Sequence, residues 1–93
     1  MTNKNYELRI LPLFEDDLNH ITDYFIHRLK NIDAAECLVD DVESAIYERL
    51  SAPESFETFH STHDHTHPYY RIKVRNFFIF YVVIGNVMEV RRI

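Results

Sequence analysis

The sequence predicts an α+β fold: an N-terminal strand, an antiparallel helical hairpin, then a three-stranded antiparallel meander, in the order β-α-α-β-β-β. Three observations carry this. Apolar and polar residues alternate near the N-terminus and again over residues 69–75, the period of half-buried strands. Between those stretches lie two segments whose apolar residues recur every three to four positions, the period of amphipathic helices. Last comes an unbroken apolar run, Phe77 to Ile84, with a Gly-Asn pair and a return segment behind it.

Taken in order, Tyr6 to Leu11 sets Tyr6, Leu8 and Ile10 on one face and Glu7 and Arg9 on the other, and Pro12 ends the strand. Glu15 to Asn31 reads as the first helix. Leu18, Ile21, Phe25, Leu29 and Ile32 form one stripe. Glu15, Asp16 and Asp17 then sit in the first turn, and Arg28 and Lys30 in the last, as the helix dipole favours. Asp33 to Leu50 reads as the second helix, with Asp33 as N-cap and Glu36 reaching back three residues later. Its apolar stripe is Leu38, Val42, Ala45, Ile46 and Leu50, and Pro53 lies beyond its end. Cys37, inside this helix without a basic neighbour, reads as a small packing residue. The short connection at Asn31–Asp33 makes the pair an antiparallel hairpin.

Ser51 to Pro68 is polar and lacks a period, with Phe56 and Phe59 as its anchors to the core. Tyr69 to Arg75 alternates again: Tyr70, Ile72 and Val74 on one face, Arg71, Lys73 and Arg75 on the other. Asn76 marks a tight turn. Phe77 to Ile84 is aromatic and β-branched throughout, which suits a central strand. Gly85-Asn86 suits a type II′ hairpin turn into the last strand, Val87 to Ile93. That turn sets Tyr81 opposite Val90, Val82 opposite Glu89 and Phe80 opposite Arg91.

At 93 residues, with 46% hydrophobic and 27% charged content, the chain matches an ordinary globular composition and one domain over residues 1–93. Its longest apolar run falls well short of the roughly 20 residues that span a bilayer, and no secretory signal is visible, so a cytoplasmic location is expected. A single cysteine forms no internal disulfide. The net charge of −5 is unevenly spread. Residues 1–65 are strongly acidic, whereas residues 66–93 hold Arg71, Lys73, Arg75, Arg91 and Arg92 against Glu89 alone. The overall charge opposes general nucleic-acid affinity, but the basic C-terminal third can meet phosphate or an acidic peptide.

Three clusters have chemical potential. Arg71, Lys73 and Arg75 lie in one row, suited to an anion and equally to a solvated sheet face. His63, His65 and His67, with His60 and Asp64 nearby, have donor types that bind zinc or nickel, yet nothing in this polar segment fixes their geometry, and no metal or other cofactor is expected. Finally, Phe78 and Phe80 share a face opposite Phe77, Ile79, Tyr81 and Val83, so both faces of the central strand are apolar. The helices cover one; the other needs a lid or a partner.

Across residues 6–93 the chain resembles the RelE/ParE family of bacterial toxins, which takes in plasmid stabilisation proteins. The resemblance rests on Phe14-x-x-Asp17-Leu18-x-x-Ile21-x-x-Tyr24-Phe25, on Asn31-x-x-Ala34-Ala35-x-x-Leu38 with Ala45-Ile46-x-x-x-Leu50-x-x-Pro53, and on Tyr70-Arg71-Ile72-x-Val74-x-Asn76-Phe77-x-Ile79-Phe80-Tyr81-x-Val83 with Val90-x-Arg92-Ile93. It implies the toxin of a type II toxin–antitoxin pair, neutralised by an antitoxin encoded beside it, alone as a homodimer or in a hetero-oligomer with that antitoxin. The Phe78, Phe80, Arg91 and Arg92 surface would receive an amphipathic, acidic antitoxin segment. RelE-like members cleave messenger RNA on the ribosome. By position Arg71 and Lys73, with Arg75 beside them, match basic residues of that site, while Phe78 stands where an arginine is usual. ParE-like members poison DNA gyrase by binding it, and the long helical hairpin is closer to theirs. A ParE-like, growth-inhibiting toxin is therefore expected, with a RelE-like endoribonuclease or a non-toxic antitoxin-binding member as the alternatives.

Overall fold

The computed structural model describes residues 5–59, the Phe59 side chain excepted, and 67–93. Its elements are β1 (Glu7–Ile10), α1 (Pro12–Asp23) continuing into a π-helical turn (Tyr24–Arg28), α2 (Ile32–Leu50), β2 (Thr58–Phe59), β3 (Tyr69–Val74), β4 (Phe77–Ile84) and β5 (Val87–Arg92). The α+β fold read from the sequence is the fold observed. The strands form one sheet in the order β1-β5-β4-β3-β2. The meander is antiparallel, and β1 joins its far side parallel to β5. A parallel pair needs a long crossover, and here the crossover is everything between the first strand and the last.

The helical hairpin lies on one face of this sheet. Phe14, Leu38, Val42 and Ile46 from the helices pack on Tyr70, Ile72, Val74, Ile79, Tyr81, Met88 and Val90 from the strands. Every second residue of β3 and alternate residues of β4 and β5 contribute, as the pleat requires. Tyr81 is fully buried and keeps its hydroxyl satisfied. That hydroxyl donates to the Pro53 carbonyl (2.7 Å) and accepts from the Arg49 guanidinium (2.9 Å), and its ring stacks on Tyr70 at 5.1 Å. Burial pushes the Tyr81 pKa up, against the pull of Arg49.

Several local expectations are corrected. Helix α1 begins at Pro12, three residues before Glu15. Proline suits the first helical position, where its fixed φ is already helical and its missing N–H has no partner to lose. The wide π-turn then rotates the chain out of phase. The stripe holds through Leu18, Ile21 and Phe25, while Leu29 and Ile32 are exposed. Asn31, not Asp33, caps α2: its side-chain oxygen accepts from the Ala34 N–H at 3.0 Å. Lys30 reverses the chain between the helices in the left-handed region (φ 55°). Cys37 is exposed, being next to Leu38 and so about 100° around the helix from the buried stripe. Phe56 is exposed too, and its ring lies 3.5 Å beneath the Arg49 guanidinium.

In the meander, Tyr81 faces Val90 and Val82 faces Glu89 as expected, but an irregularity between Phe80 and Tyr81 sets Phe80 opposite Arg92 in place of Arg91. Gly85 takes the positive φ of the second turn (63°). In the first turn that role falls to Arg75 (φ 57°), not Asn76. Among the described residues no helix is long and apolar enough to cross a membrane.

Candidate functional site

The sheet face away from the helices divides into a closed half and an open half. At the closed half, Glu89 of β5 is 7% exposed, a rare position for a carboxylate. Two arginines neutralise it: Arg91 Nε donates at 2.8 Å and Arg9 Nη1 at 3.4 Å. Arg91 also donates to the Tyr69 hydroxyl at 3.0 Å, so it reaches from β5 across β4 to β3. Burial alone would lower the Arg91 pKa; its bonds to Tyr69 and Glu89 outweigh that and raise it. Beneath this bridge Val82 has no solvent exposure although it belongs to the outer face. It pairs across strands with Glu89.

The open half holds Arg71, Lys73, Phe78 and Phe80. Arg71 pairs across strands with Phe80, and Lys73 with Phe78. The Arg71 guanidinium lies 5.1 Å from the centre of the Phe78 ring, a cation–π contact. Phe78 is 38% exposed and Phe80 is partly exposed. The helices pack on the opposite face, so these side chains lie outside the core between helices and sheet. Two cations and two aromatic rings on one flat surface can bind a polypeptide carrying acidic and apolar groups together.

Two residues expected on this surface lie elsewhere. Arg75 leaves the row because its left-handed backbone turns the side chain toward α2, where Nε pairs with Asp41 at 2.8 Å. Arg92 is on the helix side. Its Nε and Nη2 hold both oxygens of Asp17 on α1, at 2.7 and 2.9 Å, and the Ile93 N–H donates to the same carboxylate at 3.2 Å. Arg91 stays on the outer face but within the Glu89 cluster. The sequence singled out neither Asp17 as a clasp nor Glu89, Arg49 and Arg9 as members of networks. For Glu89 a signal was present, since it is the one acid in the basic third and falls opposite Val82; Asp17 offers none beyond its place in an acidic run.

Arg92 holds the Asp17 pKa below the ordinary carboxylate value, against the opposing effect of burial. A depressed carboxylate contributes stability that is complete above its unfolded pKa, about 3.9, and is lost as pH falls through its folded value. Asp17→Asn should therefore lower the melting temperature at neutral pH and leave it unchanged below the folded pKa, where the wild-type residue is itself neutral. Thermal melts of both proteins from pH 7 down to pH 2 check this.

Of the histidine group, His63 and His65, with His60 and Asp64, lie outside the described residues, and only His67 falls within them. Among the described residues no three His, Cys, Asp or Glu side chains come together as a metal site would require.

A family model described as the ParE toxin of type II toxin-antitoxin system, parDE, matches residues 8–93. No curated protein matches the chain.

Proposed function

The chain belongs to the ParE toxin family, the toxin half of type II toxin–antitoxin systems, and from that premise we propose that it arrests growth by binding DNA gyrase and is neutralised when its antitoxin covers the open half of the outer sheet face. Type II membership implies an antitoxin partner. What supports the rest is the company the cations keep. Arg71 and Lys73 share their surface with Phe78 and Phe80, a mixture suited to a folding acidic peptide and not to phosphate alone. A site that cleaves RNA needs several donors converging on one phosphate, each worth about 3–4 kcal/mol in the transition state. Arg75 is engaged with Asp41 and Arg92 with Asp17, so the row holds two cations where the sequence suggested three.

Two assays on the purified chain test this reading. We expect inhibition of gyrase supercoiling, retained in Lys73→Ala, and no cleavage of messenger RNA on programmed ribosomes. Ribosome-dependent cleavage that Lys73→Ala abolishes would replace the proposal with a RelE-like nuclease. Expression without growth arrest would leave a non-toxic antitoxin binder.

A further inference from the structure

We infer that the outer edge of β1 is a self-pairing strand through which two copies of this chain join their sheets. β1 is an outermost strand of the sheet. The Glu7 N–H donates to the Asn86 carbonyl (2.7 Å) and the Leu11 N–H to the Val90 carbonyl (3.0 Å). Odd-numbered main-chain groups of this strand thus point inward to β5. By alternation, the N–H and C=O of Leu8 and Ile10 project from the opposite edge, where no described strand meets them. Such an edge invites another strand unless charge or shape discourages it.

Here the charges favour one partner, a second copy. Antiparallel pairing about a two-fold axis at Leu8 lets Leu8 exchange two hydrogen bonds with Leu8 of the second copy. The same register places Glu7 opposite Arg9 of the second copy, and Arg9 opposite its Glu7. These are non-hydrogen-bonded positions, where facing side chains come closest. Two like charges flanking Leu8 would repel under this symmetry; Glu and Arg attract twice. On the helix side the pairing brings together the half-buried Leu8 and Ile10 of both copies. There they line an apolar groove of about 190 Å³ with Leu18, Val42 and the exposed Tyr47. A two-fold interface of this kind is self-complementary and closed, so it stops at a dimer. It leaves the open half of the outer face free and does not depend on the toxin's target.

Sedimentation equilibrium and amide hydrogen exchange on the full chain test the inference. The wild type should be a dimer with slowly exchanging Leu8 and Ile10 amides. Glu7→Arg keeps the Arg9–Glu89 contact and should raise the dimer dissociation constant about tenfold or more, with those amides exchanging fast and the circular dichroism unchanged. A monomeric wild type with rapidly exchanging Leu8 and Ile10 amides overturns the inference, as does a dimer indifferent to Glu7→Arg. A monomer that instead captures a synthetic extended peptide of unrelated sequence at those two amides assigns the edge to a foreign strand, and equally overturns it.

Discussion

Phe78→Ala combined with Phe80→Ala should weaken binding of the cognate antitoxin by at least a hundredfold while leaving the fold intact. The two rings are the apolar part of the open surface, and a polypeptide laid on Arg71 and Lys73 must bury them. Aromatic side chains at the centre of an interface commonly carry about 2 kcal/mol or more each when truncated, and about 2.7 kcal/mol is already a hundredfold. The fold should tolerate the change because Ile79 and Tyr81, the core residues of the same strand, face the other way. Titration calorimetry with the antitoxin measures the loss, and a denaturant melt of the free variant verifies the fold. Arg71→Ala should cost less affinity than the double truncation and make the remainder less salt-sensitive, since it removes one charge from the surface. Affinity within tenfold of wild type in the double variant would place the antitoxin on another surface.

The architecture was legible because its signals are local and repeated. Alternation in Tyr69–Val74 puts Tyr70, Ile72 and Val74 into the core, and the stripe of α2 buries Leu38, Val42 and Ile46. Gly85-Asn86 placed Tyr81 opposite Val90 and Val82 opposite Glu89. Three of the failures depend on a change of phase or on backbone geometry that residue type does not announce. The π-turn rotates Leu29 out of the stripe, and the reversal at Lys30 places Ile32 at the start of α2. The irregularity at Phe80–Tyr81 moves Arg92 opposite Phe80, and a left-handed Arg75 ends the cationic row one residue early. As for the open surface, Phe78 and Phe80 were identifiable by parity alone. How far the apolar face is exposed was not, because Val82 has the same parity yet no solvent exposure, beside the Glu89 cluster drawn from three other strands. Those partners come together only once β1 lies beside β5.

Glu89→Ala should destabilise the chain by about 2–3 kcal/mol. Glu89 is the one buried charged residue among those described, and its carboxylate is the shared acceptor for Arg91 and Arg9. Removing it takes that acceptor from the Arg91 guanidinium, 24% exposed, while the bond to the Tyr69 hydroxyl stays. Breaking a fully buried pair from one side costs about 3–5 kcal/mol; the figure is lower here because Arg9 is 58% exposed and recovers water. Glu89→Gln separates charge from shape. It fills the same space and still accepts through one oxygen, so its cost should be roughly half, close to the difference between a charged and a neutral hydrogen bond. Urea unfolding at neutral pH gives both values. The order also predicts a structural consequence. Once Arg91 is no longer held, the cover over Val82 loosens, and hydrogen exchange at Val82 should rise more in Glu89→Ala than in Glu89→Gln. A Glu89→Ala protein within 0.5 kcal/mol of wild type, about the range of ordinary surface substitutions, would mean that the cluster seals the sheet by packing alone and that its charges contribute nothing to the fold.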